Sequence, residues 1–304
     1  MTVGVTGDAG AVRPIASVII PAHNEEAVVE RLLRALTSDG AEHFEIVVAC
    51  NGCTDSTAEV ARSAAPGAVV LELPQPSKRA ALEAADRAAT RFPRLYVDAD
   101  VELSASSAAA LARALNADNG ILAAAPVRVV PRTELSPPVR WYYDVWERLP
   151  QVEEGLFGRG VIALSKPGNE RVRALPSVMG DDLVASEEFT DGERAIVEEA
   201  TVVVHGPRNV RDLYRRRVRA VTGNAQADDA SLRRSAARTS PARILQLAAE
   251  QPSIIPRLPV FLAITAAARV GARRAIRRGD FETWLRDESS RTGPSAEPPV
   301  DSES

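Results

Sequence analysis

From residue 14 to residue 116 the chain alternates four times between two kinds of segment. The first kind is short and apolar or β-branched, at residues 17–20, 44–49, 68–73 and 94–97. The second kind carries apolar residues at helical spacing, at residues 26–36, 54–64, 77–91 and 104–116. Links between them are short, so each strand–helix–strand unit predicts a parallel pair with its helix laid across one face of the sheet. The fold class expected is α/β, with a Rossmann-like, mostly parallel sheet and helices on both faces. In such sheets ligands bind beyond the carboxyl ends of the strands. The polar clusters fall there: His23-Asn24-Glu25, Asn51 through Asp55, Lys78-Arg79, and Asp98-Ala99-Asp100.

The second cluster contains the chain's two cysteines, as Cys50-Asn51-Gly52-Cys53. A strand, C-x-x-C and a helix form the layout of a thiol redox site, where a helix N-terminus lowers a thiol pKa. The same layout suits a loop that holds a nucleotide. Metal and phosphate chemistry in the neighbouring loops favours the nucleotide loop. A structural zinc would need two more ligands, and only His23, His43 and His205 could supply them.

Beyond residue 120 the pattern loosens. Strands are expected at 121–130, 160–164 and within 195–205, and helices at 184–189 and 210–225. Trp141, Tyr142, Tyr143 and Trp146 share a helical spacing that points to core packing, with acceptor lining as the alternative. Residues 227–252 read as a linker with helical content, and 1–13 and 289–304 as flexible tails. Residues 253–288 combine an apolar stretch, a basic collar (Arg269, Arg273, Arg274, Arg277, Arg278) and Trp284, which suits a helix lying in a membrane interface. A buried helix with a basic outer face is the other reading. No run reaches the roughly 18 to 20 continuous apolar residues of a transmembrane span, and the first residues have no apolar core of a signal peptide. The expected location is therefore cytoplasmic, peripherally at the inner face of the cell membrane. Residues 207–278 hold sixteen Arg against four acids, while the whole chain has a net charge of −4. That balance gives no case for nucleic acid as a partner and suggests an anionic partner for the basic part.

Three clusters carry chemistry. Asp98 and Asp100, straight after an apolar strand, can share one hard divalent cation, Mg²⁺ or Mn²⁺, on a substrate diphosphate. Adjacent Asp181 and Asp182 repel each other, which raises one pKa toward that of a general base; they also suit a helix start with a first-turn acid. Arg215, Arg216, Arg217 and Arg219 offer guanidinium groups for phosphate, or a solvated basic surface.

In order, SVIIPAHNEE, VVACNGCTDSTAEVA, YVDADVELS, GDDL and RRRVRAVTGN resemble the family 2 glycosyltransferases of GT-A fold, over residues 14–226. The resemblance implies a transferase domain over that range. It assigns Pro21, Ala22, Asn24 and Glu25 to the loop over the nucleotide. Asn51 stands where the family's base-contacting Asp is common, in a loop that ends at Asp55, and Cys50 and Cys53 stand where an Asp and a Ser are usual. Lys78 matches a phosphate-reaching base, Asp98 and Asp100 the metal-binding D-x-D, and Asp181 and Asp182 the pair whose Asp is the catalytic base. Arg216 and Arg219 match the Gln and Arg of Q-x-x-R-W, with Ala220 in place of the Trp, which implies a non-processive enzyme. FGRGVIALS at 157–165 is similar to a segment shaping the acceptor site, and His205 is a candidate further metal ligand. The implied activity is inverting, metal-dependent transfer of a sugar from a nucleotide-diphospho-sugar to a hydroxyl acceptor, such as a lipid-linked or cell-surface glycan precursor, a polyprenyl-linked one included. A sugar-phosphate nucleotidyltransferase is the alternative enzyme, but no Gly-rich phosphate loop stands near the N-terminus. A non-catalytic nucleotide-binding membrane scaffold is the alternative from a different class.

Overall fold

A computed structural model describes residues 13–38, 43–175, 181–229 and 241–278, with the side chains of 181–184, 226–229 and 241 outside the description. The four expected strand–helix repeats form as β1 (Ala16–Ala22), α1 (Val29–Thr37), β2 (Phe44–Asn51), α2 (Thr57–Ala64), β3 (Val69–Leu73), α3 (Lys78–Ala88), β4 (Arg94–Val97) and α4 (Ala105–Asn116). Strands β3, β2, β1 and β4 lie side by side and parallel. Alternation along β1 sends its side chains to two different cores. Val18 and Ile20 join Leu32, Leu33 and Leu36 of α1 and Leu111 of α4, whereas Ile19 joins Ala81 and Ala85 of α3. Helices thus cover both faces, and the central strands read as unbroken apolar runs because neither face meets water.

The rest of the sheet is mixed. After β5 (Val101–Leu103), β6 (Ala123–Val129), β7 (Val161–Leu164) and β8 (Arg194–Val204), the full order is β3-β2-β1-β4-β7-β6-β8-β5. Strand β7 is antiparallel to β4 and β6, β8 is parallel to β6, and β5 is antiparallel to β8. Strand β5 is the far edge, yet its Glu102 carboxylate lies 3.2 Å from Arg31 of α1. The sheet curls, and its last strand returns beside its first helix.

Strand β5 was not expected, because three residues carry no periodicity. Helix α7 (Lys166–Arg173), following α5 (Pro137–Trp146) and α6 (Pro150–Glu153), was also missed. Its KPGN start reads as a turn, but Pro167 stands in the first turn, where its missing N–H costs nothing, and Ser165 Oγ accepts from the Gly168 amide at 3.2 Å.

Helix α8 (Asp181–Glu188) precedes β8, and α9 (Val210–Asp229) runs past the expected boundary at 226. Within the expected linker, α10 (Pro241–Glu250) is helical and leads through a 3-10 segment (Pro252–Arg257) into α11 (Leu258–Arg277). The aromatic cluster of α5 packs in the core as expected: Tyr142 and Tyr143 are buried, and the Tyr142 ring stacks on Phe261 of α11 at 5.2 Å between centroids. Trp141 alone faces outward, 43% exposed. Phe261, Ile264, Ala268 and Ala272 bury one face of α11. The described stretch Pro252–Arg277 is also long and apolar enough to cross a membrane by length and composition. Of the expected tails, 1–12 and 289–304 lie outside the described residues, as does the rest of the 253–288 region after Arg278, with Trp284.

Candidate active site

The loops after β1, β2 and β3 are fastened to one another. Asn24 takes a left-handed backbone (φ +51), a conformation that Asn tolerates better than most side chains. From there its Oδ1 accepts from the Thr54 amide at 2.7 Å. The Glu25 amide donates to Thr57 Oγ1 at 2.8 Å, and His23 Nδ1 lies 2.5 Å from the Asn51 carbonyl. Asp55 accepts from the amides of Thr57 and Glu26. Burial alone would raise its carboxyl, but the Thr57 hydroxyl and these amides outweigh it and hold the pKa below the usual range. Gly52 (φ +58) donates its N–H to the Leu73 carbonyl at 2.7 Å, tying the second loop to the third.

Inside this lattice Asn51 is 2% exposed. Its Nδ2 donates to the Ala22 carbonyl at 2.8 Å, and its Oδ1 is buried with no hydrogen-bond partner among the described residues. Such a group costs free energy until a donor reaches it. The two thiols are free. Burial, reinforced by Cys53, pushes the Cys50 thiol up to about 12, the opposite of what a redox nucleophile needs.

At the ends of β3 and β4, Lys78 opens α3 and its Nζ stands 3.4 Å from Asp98 Oδ1. Asp98 and Asp100 follow β4, both partly exposed, and the Asp98 amide donates to the Gly160 carbonyl at 2.8 Å. That contact brings the 157–160 loop against the D-x-D. Behind it, Arg128 of β6 lies over the Trp146 ring, 4.5 Å from its centroid, and donates to the Gly158 carbonyl. His205 meets the Glu102 carboxylate at 2.6 Å, and Arg216 of α9 donates to the His205 carbonyl at 3.2 Å.

The Glycosyl transferase family 2 profile matches residues 17–164, a span that holds every one of these loops up to β7. Those residues are a family 2 glycosyltransferase domain. Solved structures share its fold at low sequence identity. A mannosyltransferase from Pyrobaculum calidifontis, solved with GDP-Man and Mn²⁺, is 23% identical with a TM-score of 0.58, over 88% of this chain and 80% of that one. Glucosyl-3-phosphoglycerate synthase from Mycobacterium tuberculosis, solved with Mn²⁺, UDP-Glc and phosphoglyceric acid, is 22% identical with a TM-score of 0.53, over 74% and 82%. No curated protein matches the chain in sequence.

The expected site residues, inside the matched span and beyond it, fall into separate groups. Lys78 and Asp98 meet, with Asp100 two residues on, and Asn51 offers an unused acceptor atom in the neighbouring loop. Asn24, Glu25 and Asp55 are engaged in bracing loop to loop, and Pro21 and Ala22 end β1 as backbone partners. His205 is held on Glu102, and among the described residues no set of three or more His, Cys, Asp or Glu side chains converges on one point. Arg216 faces the site from α9, while Arg219 is exposed. Asp181 and Asp182 begin α8, with their side chains outside the described residues. Sequence reasoning missed Arg128, Glu102 and the role of Trp146. Only the register of β6 and β5 brings them here, and no motif marks them.

Proposed function

We propose that this glycosyltransferase moves a sugar from a nucleotide-diphospho-sugar to a hydroxyl acceptor, with inversion and one sugar at a time. The observation that carries the reading is the Lys78–Asp98 contact at 3.4 Å, with both side chains open to solvent, at the carboxyl edge of a parallel sheet. A cation and a carboxylate so placed can exchange their contact for a metal-bridged diphosphate. Asp98 and Asp100 fit a divalent ion, because hard Mg²⁺ or Mn²⁺ is commonly held by one or two carboxylates plus substrate phosphates. A third protein ligand is not required, so the pairing of His205 with Glu102 is no obstacle. A bound ion would offset charge on the leaving diphosphate. Both fold relatives were solved with a nucleotide sugar and Mn²⁺, which supports the same donor class here.

Lys78, with Arg219 from α9, supplies positive charge for the diphosphate, and Arg216, which acts on Arg128, extends that charge toward the acceptor side. Asn51 Oδ1 receives an N–H of the base, which favours bases that carry one at that edge. Asn24, Glu25 and Asp55 keep the nucleoside loops in register rather than touching the donor strongly. Asp182, with Asp181 beside it, is the base that takes the acceptor's proton. Helix α11 works at the inner face of the membrane: one side is packed on α5 and α9, while Leu262 (47%) and Val270 (46%) are exposed on the other, ahead of Arg273, Arg274 and Arg277. A helix half committed to its own domain lies in an interface more readily than it spans one. A lipid-linked acceptor follows from that position.

The test is thermal melting with UDP, GDP, dTDP and CMP, each with and without Mn²⁺. A ligand that binds the folded state alone raises the melting temperature by mass action. One nucleoside diphosphate should shift the melt in a metal-dependent way, and Asp100→Ala should abolish the shift. No shift with any nucleotide would overturn the donor reading. Asp182→Asn should keep the shift and lose transfer.

A further inference from the structure

Buried guanidinium groups are costly unless anions face them. Around the 157–160 loop, arginines crowd together, and among the described residues the carboxylates beside them are shared. The Arg128 side chain is 5% exposed; its Nη1 donates to the Gly158 carbonyl at 3.2 Å, and its Nε has no hydrogen bond among the described residues. Glu147 stands 3.7 Å from that Nε and is shared with Arg132. Asp144 is shared in turn between Arg132 and Arg257. Arg159, 4% exposed, is held by the main-chain carbonyls of Pro126, Val152, Glu153 and Gly155 and by no carboxylate among the described residues. Arg217 lies over the rings of Tyr142 and Trp146.

The arginines also feel one another. Burial first, then Arg128, pushes Arg159 down to about 10. Burial likewise lowers Arg128, with Arg216 adding to the effect against the pull of Glu147. Their distance from the D-x-D is short. A Cβ on Gly160 would lie 3.5 Å from Asp98 Oδ2, and one on Gly158 would lie 3.8 Å from Arg128 Nη1. Two residues of chain span at most about 7 Å. Arg128 Nη1 is therefore within about 14 Å of the Asp98 carboxylate assigned to the donor.

We propose that this turn is an anion seat for the acceptor: the acceptor carries a phosphate near its attacking hydroxyl, received by Arg128 and Arg216 beside the glycines at 158 and 160. The proposal rests on the donor reading above and adds the acceptor's chemical class to it. In the transfer, the hydroxyl oxygen bonds to the anomeric carbon and the bond from that carbon to the diphosphate breaks. The nucleoside diphosphate leaves with the electron pair, and the hydroxyl proton passes to the carboxylate base proposed at Asp182. The seated phosphate does not react. Two sources share this chemistry, a soluble sugar phosphate and a sugar on a polyprenyl diphosphate.

The experiment uses the full chain, with saturating nucleoside diphosphate and Mg²⁺ so that the donor's phosphate positions are filled. Inorganic phosphate is then titrated at constant ionic strength and the melt followed. A saturable further rise is expected. Arg216→Gln and Arg128→Met should each weaken the apparent phosphate affinity by about tenfold, as loss of a charge-assisted hydrogen bond requires. Arg34→Gln, on the exposed face of α1, should not. If Arg128→Met fails to fold, Arg216→Gln decides. Labelled donor is then offered with glucose 6-phosphate against glucose, and with vesicles holding polyprenyl-diphosphate-linked N-acetylglucosamine against free N-acetylglucosamine. Label on the first anionic compound marks a soluble acceptor, and label on the second a membrane one. Failure of the nucleoside diphosphate itself to shift the melt sinks the donor reading. A nucleotide shift with no saturable phosphate effect, or with one unchanged by Arg216→Gln, overturns the anion seat alone, as does equal use of the neutral compounds.

Discussion

Gly52→Ala separates backbone geometry from thiol chemistry in the loop after β2. Gly52 has φ +58, and a Cβ there would meet Pro76 at 2.7 Å from its N and 2.9 Å from its Cα and Cβ. These atoms belong to a ring and a backbone, so no side-chain rotation relieves the contact. A left-handed L-residue costs about 1–2 kcal/mol. Overpacking adds about 1–3 kcal/mol. A less flexible unfolded chain returns about 0.4–1 kcal/mol. The net loss is about 1–5 kcal/mol, expressed where Gly52 N–H bonds the Leu73 carbonyl and where Asn51 is seated. Urea unfolding followed by circular dichroism should show a lower midpoint at unchanged slope. The response of the melt to nucleoside diphosphate and Mn²⁺ should fall as well. Gly67→Ala is the control, since its Cβ would meet nothing within 4 Å. A loss under about 1 kcal/mol with an undiminished nucleotide response would refute the reasoning, because the strain estimate and the link from loop to donor would both have failed.

Asp98→Asn should leave the fold within about 1 kcal/mol of wild type, since its pair with Lys78 is half-exposed. It should nevertheless remove the metal-dependent nucleotide shift, and calorimetry with Mn²⁺ and nucleoside diphosphate checks both. Because Cys50 is raised to about 12, its folded form binds the proton more tightly than its unfolded form. Its contribution to stability is intact below the unfolded thiol's pKa of about 8.5 and is lost as pH rises through the folded value. Only about 10⁻⁴ of Cys50 is thiolate at pH 8, so iodoacetamide should label it slowly until the chain unfolds, as mass spectrometry of the modified peptide will show. Labelling at the rate of a free thiol would contradict the burial. Phe261→Ala should cost about 3–5 kcal/mol by opening a cavity under Tyr142, measured by urea unfolding. Leu262→Ser, on the exposed side of the same helix, should change stability by less than about 0.5 kcal/mol and weaken flotation with anionic vesicles.

The first half of the fold was legible because buried parallel strands leave continuous apolar runs and their helices leave a 3.6-residue stripe. Residues 17–20 and 44–49 needed nothing else. What stayed hidden depends on partners distant in sequence. His205 and Glu102 are 103 residues apart, and nothing in VVVHGP marks a carboxylate on a strand that is itself only three residues long. The D-x-D and Lys78 could be read because they stand alone after strands. Asn24, Glu25 and Asp55 could be placed at the same edge, but their bracing is a property of two loops about thirty residues apart meeting. A single sequence does not distinguish a side chain that braces a ligand loop from one that touches the ligand.

One row of contacts joins helix α11 to the arginines around the 157–160 turn. Phe261 of α11 stacks on Tyr142 at 5.2 Å, Arg217 lies over both Tyr142 and Trp146, and Trp146 carries Arg128. Every member is partly or fully buried, so a shift of α11 on binding a bilayer has a packed route to the guanidinium that would receive the acceptor's phosphate. If α11 lies in an anionic interface, its basic end and the arginine cluster face the same chemistry, lipid phosphates on one side and a phosphate-bearing acceptor on the other. That would explain why a chain with two lysines concentrates arginine in α9 and α11. Planar, always charged guanidinium groups can stack on Trp146 and Tyr142 and still bind phosphate with two parallel bonds, which an ammonium group cannot do.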